Sequence, residues 1–162
     1  MEDIYSAVLN CLSPGMRPGA LIVDAGSGSG ELSRILADHG FDVMAIDPLA
    51  TEGETTAHSG GIRYVRGVAE RIPLDSGSAD AVVSVRALHH MNAPLALAEF
   101  QRVIRMGGRL CIADWVRGAD TGIPEDYFSP AELREMLVSA GFADVSQLPF
   151  PDSDIMLFSA RK

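Results

Sequence analysis

The sequence predicts an α/β fold, a doubly wound and mostly parallel sheet of seven strands. Three observations carry that expectation. Short apolar runs of strand character alternate with helical patterns along the 162 residues. The run AVVSV (81–85) is almost wholly apolar, as a central strand covered on both faces must be. A glycine-rich turn, VDAGSGSG (23–30), follows directly on the first strand-like run, where such sheets bind their ligands.

The elements follow in order. Residues 3–12 put Ile4, Val8, Cys11 and Leu12 on one helical face. A break rich in Pro and Gly (13–19) leads to the strand ALIVD (20–24) and the glycine turn. A helix carrying Leu32, Ile35 and Leu36 comes next, closed by Gly40, then the strand FDVMAID (41–47). Together these make a complete strand–helix–strand unit. The stretch PLATEGETTAHSGG (48–61) is polar and glycine-bearing, and fits either a short, poorly formed helix or a mobile loop.

The strand IRYVRG (62–67), a loop ending in SGSAD (76–80) and the strand AVVSV (81–85) come next. A helix from about Pro94 to Arg105 carries Leu97, Phe100 and Ile104 and is ended by Gly107 and Gly108. RLCIADW (109–115) is the fifth strand, and the sheet is expected to be parallel at least this far. In 129–141, Ser129 caps a helix, Pro130 suits its first position and Glu132 completes a capping box. Leu133, Met136, Leu137 and Ala140 then share one face before Gly141 stops the helix. Strands at about 143–148 and 154–161 end the chain. No repeat or linker divides it, so one domain over 1–162 is expected.

Composition narrows the function. With 47% hydrophobic and 22% charged residues the chain is of ordinary globular type. No apolar run is long enough to cross a bilayer, and MEDIYSAVLN lacks the basic start and apolar stretch of a signal peptide, so a soluble, cytoplasmic protein without a membrane partner is expected. The 22 acidic and 13 basic side chains give a formal net charge of −9, with no Lys/Arg cluster, which speaks against a nucleic acid partner. Cys11 and Cys111 form no CxxC motif and read as two buried reduced thiols, not as a disulfide or structural zinc site.

The turn itself excludes two common ligands. A dinucleotide fingerprint starting at Gly26 needs glycine at position 31, which is Glu31, and a carboxylate at that helix start repels a pyrophosphate. A Walker loop needs a Gly-Lys-Ser/Thr that is absent here. The pattern is instead D-x-G-x-G-x-G, from Asp24 to Gly30.

With that turn, the sequence resembles the class I S-adenosylmethionine-dependent methyltransferases, particularly the type 11 group that includes quinone-biosynthesis methylases. Five segments carry the resemblance in order: VDAGSGSG; AIDP (45–48); GVAERIPLDSGSAD (67–80), against a segment usually written G-D-A-x-x-L-P-F; DAVVSVRALHHM (80–91); and VIRMGGRLCIAD (103–114), against L-R-P-G-G-x-L. The resemblance implies a Rossmann-like methyltransferase fold with an antiparallel last strand, S-adenosylmethionine as cofactor and a small-molecule acceptor. It implies that Asp24 faces the methionine amino group, directly or through water. Gly26, Ser27, Gly28 and Gly30 would lie against the methionine end and ribose. Asp47 would accept bonds from the ribose hydroxyls, with Pro48 and Leu49 packed near the adenine. At the adenine amine the family's usual Asp is replaced by Val68, while Ala69 and Glu70 still match. The backbone at Ala69 remains able to recognise adenine, and Glu70 either takes the amine or is a surface acid.

Arg86, His89 and His90 fall in the loop that borders the methyl group. His89 and His90 are the candidates for aligning or deprotonating the acceptor, against a packing role for either. Adjacent histidines rarely point at one ion, so no metal is expected. Arg86 is placed with the cofactor-binding residues of the same cleft, and also suits a substrate carboxylate or an ion pair with an acid such as Asp114. The segment WVRGADTGIPEDYF (115–128) is a short lid, which leaves the cleft open for a bulky acceptor or for cover by a second copy in a homodimer. Trp115, Tyr127 and Phe128 are candidates to line it, or ordinary core aromatics. Two rival functions remain: a non-catalytic protein that binds S-adenosylmethionine or S-adenosylhomocysteine, and a dinucleotide-binding oxidoreductase.

Overall fold

The computed structural model describes residues 3–51, 53–56 and 61–162. Its elements are α1 (Ile4–Leu12), β1 (Leu21–Ala25), α2 (Glu31–Asp38), β2 (Asp42–Asp47), β3 (Gly53–Thr56), β4 (Gly61–Arg66) and β5 (Ala79–Val85). A 3-10 turn (Leu88–His90) follows, then α3 (Ala93–Val103), β6 (Ile104–Trp115), α4 (Pro130–Ser139), β7 (Ala143–Leu148) and β8 (Ile155–Arg161). The sheet order is β3-β4-β2-β1-β5-β6-β8-β7.

The doubly wound, mostly parallel sheet is present as expected. β1 pairs in parallel with β2 on one side and β5 on the other, and β4 and β6 extend the parallel core. β8 runs antiparallel to both β6 and β7. One strand was not foreseen. In the polar stretch read as a short, poorly formed helix or a mobile loop, β3 pairs antiparallel with β4 and adds an eighth strand at the edge. Residues 52 and 57–60 of that stretch lie outside the described residues.

Two apolar layers hold the sheet. On one face Leu97 and Phe100 of α3 and Leu133 of α4 are fully buried against Val23, Val82 and Ile112. On the other, Val8 and Leu12 of α1 and Leu36 of α2 pack on Ile22, Val83 and Cys111. Burying each large aliphatic or aromatic side chain contributes about 1.5–3 kcal/mol. Six of the seven residues of β5 are buried, which explains why AVVSV is almost wholly apolar. Helix α4 carries the expected capping box: Ser129 Oγ accepts from the Glu132 N–H, and the Glu132 carboxylate accepts from the Ser129 N–H.

Helix α3 stops at Val103, two residues earlier than the sequence suggests. Tertiary pairing overrides the helical pattern there. Ile104 already pairs with Ala79 of β5, and Arg105 forms an ion pair with Asp80 at 2.6 Å. No helix among the described residues is long and apolar enough to cross a membrane.

Candidate active site

The strand order reverses at β1, which sits between β2 and β5. The chain leaving each of these three strands therefore meets at one place, and a cleft forms there. The turn after β1 is stitched to the end of β2: the N–H groups of Gly26 and Ser27 both donate to the Ile46 carbonyl, at 2.8 and 3.1 Å. Gly26 has φ +78°, and a Cβ there would collide with the Ala87 side chain. Gly30, at φ +76°, lies under the Tyr64 ring and opens α2 in a left-handed conformation. These two glycines are needed for backbone shape and close approach together. A Cβ on Gly28 would meet nothing within 4 Å, so space stands above the middle of the turn.

Asp47, at the end of β2, is fixed from two sides. Its Oδ2 accepts the Gly28 N–H and its Oδ1 accepts the Leu49 N–H, both at 2.9 Å. Each oxygen keeps lone-pair capacity for another donor. Asp24 lies behind the turn, buried, and accepts a 2.6 Å bond from the Ser33 hydroxyl. Burial raises its pKa to about 6; the Ser33 bond opposes that shift, and the nearby Asp47 charge adds to it. Ser27 Oγ is buried without a hydrogen-bond partner among the described residues.

A cavity of about 350 Å³ opens between these strand ends. Gly26, Asp47, Pro48, Val68, Ala69, Glu70 and His90 line it. The volume falls within the usual range for small-ligand sites. Asp24, Ser27, Gly28 and Gly30 shape the turn without themselves lining the cavity. Ala69 is buried, whereas Val68 is 48% exposed at the mouth. Glu70 has a structural engagement that the sequence did not suggest: its Oε1 accepts the Asn92 N–H at 2.7 Å, tying this wall to the start of α3.

Arg86 stands elsewhere. It has φ +51° at the end of β5, donates to the Tyr5 hydroxyl at 3.1 Å and lies 5.9 Å from the centroids of both the Tyr5 and Trp115 rings. It is not among the residues lining the cavity. Asp114, offered by the sequence as an ion-pair partner of Arg86, is bound instead by His89. The His89 Nδ1 lies 2.7 Å from Asp114 Oδ1, and the His89 backbone N–H donates to Asp114 Oδ2 at 3.1 Å.

The two histidines have different surroundings. His89 is buried, with its Nε2 3.4 Å from Glu125 Oε2. Burial disfavours the charged ring, but the bond and charge of Asp114, joined by Glu125, outweigh it and hold the His89 pKa above the ordinary value. His90 is 58% exposed, and its Nδ1 lies 3.7 Å from the other Glu125 oxygen. The 3-10 turn sets the two rings 4.0 Å apart, both toward Glu125. Tyr127 completes the group: its hydroxyl donates to Glu125 Oε2 at 3.0 Å, and its ring meets His89 edge-on. Phe128 lines a separate cavity, between α3 and α4.

Sequence reasoning missed Glu125 and the use of Asp114. Asp114 had a signal, an acid ending an apolar central strand. Glu125 had none, since it lies in a loop without periodicity.

Comparison with known proteins adds a family. Residues 23–112 match the family described as a methyltransferase domain. An uncharacterized methyltransferase of Mycobacterium tuberculosis is 38% identical over 97 residues, covering 55% of this chain and 37% of that protein. The 2-methyl-6-phytyl-1,4-hydroquinone methyltransferase of Synechocystis is 33% identical over 126 residues, covering 74% and 40%. The chain thus spans about two-fifths of the length of the curated relatives it matches. Among solved structures, the Haemonchus contortus phosphoethanolamine N-methyltransferase 2, in complex with S-adenosylhomocysteine, superposes with a TM-score of 0.79 at 16% identity, covering 98% of this chain and 52% of that one.

Proposed function

The chain belongs to the methyltransferase domain family, and on that premise we propose that it binds S-adenosylmethionine at the ends of β1, β2 and β5 and transfers its methyl group to a small or medium organic acceptor. The observation that carries this reading is Asp47, held on the cavity wall by the Gly28 and Leu49 amides. A carboxylate fixed there is ready to accept two ribose hydroxyls through charge-assisted bonds.

The rest of the site fits the same ligand. The space above Gly28 admits the methionine end against bare backbone, and the unpartnered Ser27 hydroxyl sits in the same turn. Asp24, buried behind it, attracts the amino group directly or through water. Pro48, Leu49 and Ala69 offer an apolar slot for the adenine. When bound, S-adenosylmethionine supplies an electrophilic methyl on a sulfonium sulfur. The protein's part is alignment: Gly26, Asp47 and His90 all line the cavity, and the acceptor stands beside His90. His89, engaged by Asp114 and facing Glu125, supports that wall from behind.

Fold alone does not determine activity, so the test is direct. Calorimetry with S-adenosylmethionine, S-adenosylhomocysteine and NAD should give binding of the first two only; binding of NAD alone overturns the reading. Turnover is then measured over a panel of phenols, quinols and amines. Binding without turnover favours a non-catalytic S-adenosylmethionine-binding protein, a second reading supported by the exposed Val68 where relatives place an acid.

A further inference from the structure

The cofactor reading uses His90 and His89 only as wall and leaves the facing donor atoms of the His89–His90–Glu125 cluster without a role. Asp114 is a buried acceptor for His89 Nδ1, so that nitrogen carries the proton. Nε2, the other ring nitrogen, faces Glu125 Oε2 at 3.4 Å, where a bare nitrogen lone pair would meet a carboxylate oxygen, acceptor against acceptor. Either a proton on Nε2 or a metal ion between the two atoms resolves that contact.

We propose that His89 Nε2, His90 Nδ1 and the Glu125 carboxylate bind a divalent transition metal ion of the zinc type. Three features support a metal over a shared proton. The first is spacing. Ligands held about 2.1 Å from a tetrahedral zinc stand about 3.4 Å from one another. His89 Nε2 lies 3.4 Å from Glu125 Oε2 and His90 Nδ1 lies 3.7 Å from the other oxygen, Oε1, and one donor atom from each of the three residues lies within 4.8 Å of the others, so small side-chain rotations bring them onto one ion.

The second is support from outside the donor set. A histidine that binds metal through one nitrogen commonly gives the other to a carboxylate, which fixes the ring and raises its basicity. Asp114 does this for His89, and it is itself held by the Trp115 N–H at 2.8 Å. The Tyr127 hydroxyl orients Glu125 in the same way. The third is charge. Two neutral imidazoles and two carboxylates, Glu125 and Asp114, sum to −2, which a divalent ion cancels and one proton does not. Two histidines and one glutamate also leave a coordination position open. His90 belongs to both the cluster and the cavity wall, so the metal borders the cavity.

The test reads metal alone and stands apart from methyl transfer. Metal-stripped protein is titrated with Zn²⁺ by calorimetry near neutral pH. One saturable site per chain is expected. Glu125→Gln and His90→Gln, both at partly exposed side chains and checked for fold by circular dichroism, should each weaken it at least tenfold. His39→Gln, on the exposed end of α2, should leave it unchanged. Titration with Co²⁺ should give visible bands of a nitrogen–oxygen site that the same two variants abolish. Absence of a saturable site overturns the proposal and leaves a proton shared between His89 and Glu125. Wild-type affinity in either variant overturns it as well.

Discussion

Asp114 receives both the ring Nδ1 and the backbone N–H of His89, at 2.7 and 3.1 Å, with both side chains almost wholly buried. Removing one member of a buried charged pair leaves the other without its partner, at a cost of about 3–5 kcal/mol. Asp114→Ala should therefore lower stability to urea by about 3 kcal/mol. His89→Ala should cost less, because Asp114 keeps the Trp115 N–H. In the double variant the losses should fall short of their sum by about 1–3 kcal/mol, the coupling expected of groups in direct contact. Additive losses would show that the two residues act separately.

Asp24 sets a pH dependence. Its pKa in the fold is about 6 against an ordinary 3.8. The folded state thus holds this proton more tightly than the unfolded chain does. The stability from this difference is fully present below about pH 4 and is lost as pH rises through about 6, a change of up to about 3 kcal/mol from this group. Asp24→Asn keeps an acceptor for the Ser33 hydroxyl and removes the charge. The variant should be more stable than the parent in urea at pH 8, with the advantage shrinking toward pH 4. The same change should weaken S-adenosylmethionine binding at pH 8, because the buried charge proposed to attract the amino group is gone.

Local chemistry was legible in the sequence, and long-range pairing was not. The parallel strands showed as apolar runs because they are covered on both faces, and α4 showed because Ser129, Pro130 and Glu132 act within one helical turn. β3 left no trace: GETT has no alternation of its own, and only backbone pairing with β4 makes it a strand. The same division holds in the site. The glycine turn and Asp47 could be read from spacing along the chain. The Asp114–His89 bond joins residues 25 apart, and Arg86 turned to Tyr5, 81 residues away. Nothing in the intervening sequence encodes either pairing.

Gly26 tests whether the turn's shape is required. Alanine at this position must adopt φ +78° and place its methyl into Ala87. The left-handed backbone costs about 1–2 kcal/mol and the overlap about 1–3 kcal/mol. Gly26→Ala should lose roughly their sum in chemical denaturation. Adding Ala87→Gly removes the obstructing methyl, so the double variant should recover the steric part and keep the backbone part. No recovery would mean that the turn, not Ala87, limits the space.

The adenine side separates what is fixed from what can be improved. Asp47→Ala removes an acceptor that two backbone amides hold in place, and losing a charged hydrogen bond costs about 1.5–3 kcal/mol. Calorimetry should show S-adenosylmethionine binding weakened at least tenfold; unchanged binding removes Asp47 from the site. Val68 offers the opposite change. It lies exposed on the cavity wall, at the position of the acid in the G-D-A pattern that its segment resembles, so Val68→Asp adds an acceptor without disturbing the core. A half-exposed charged bond contributes about 1 kcal/mol after solvent screening. Val68→Asp should therefore tighten S-adenosylmethionine binding about fivefold and leave the urea midpoint unchanged. Tighter binding that is equally strong for an analogue lacking the adenine amine would assign the gain to long-range charge and not to that bond.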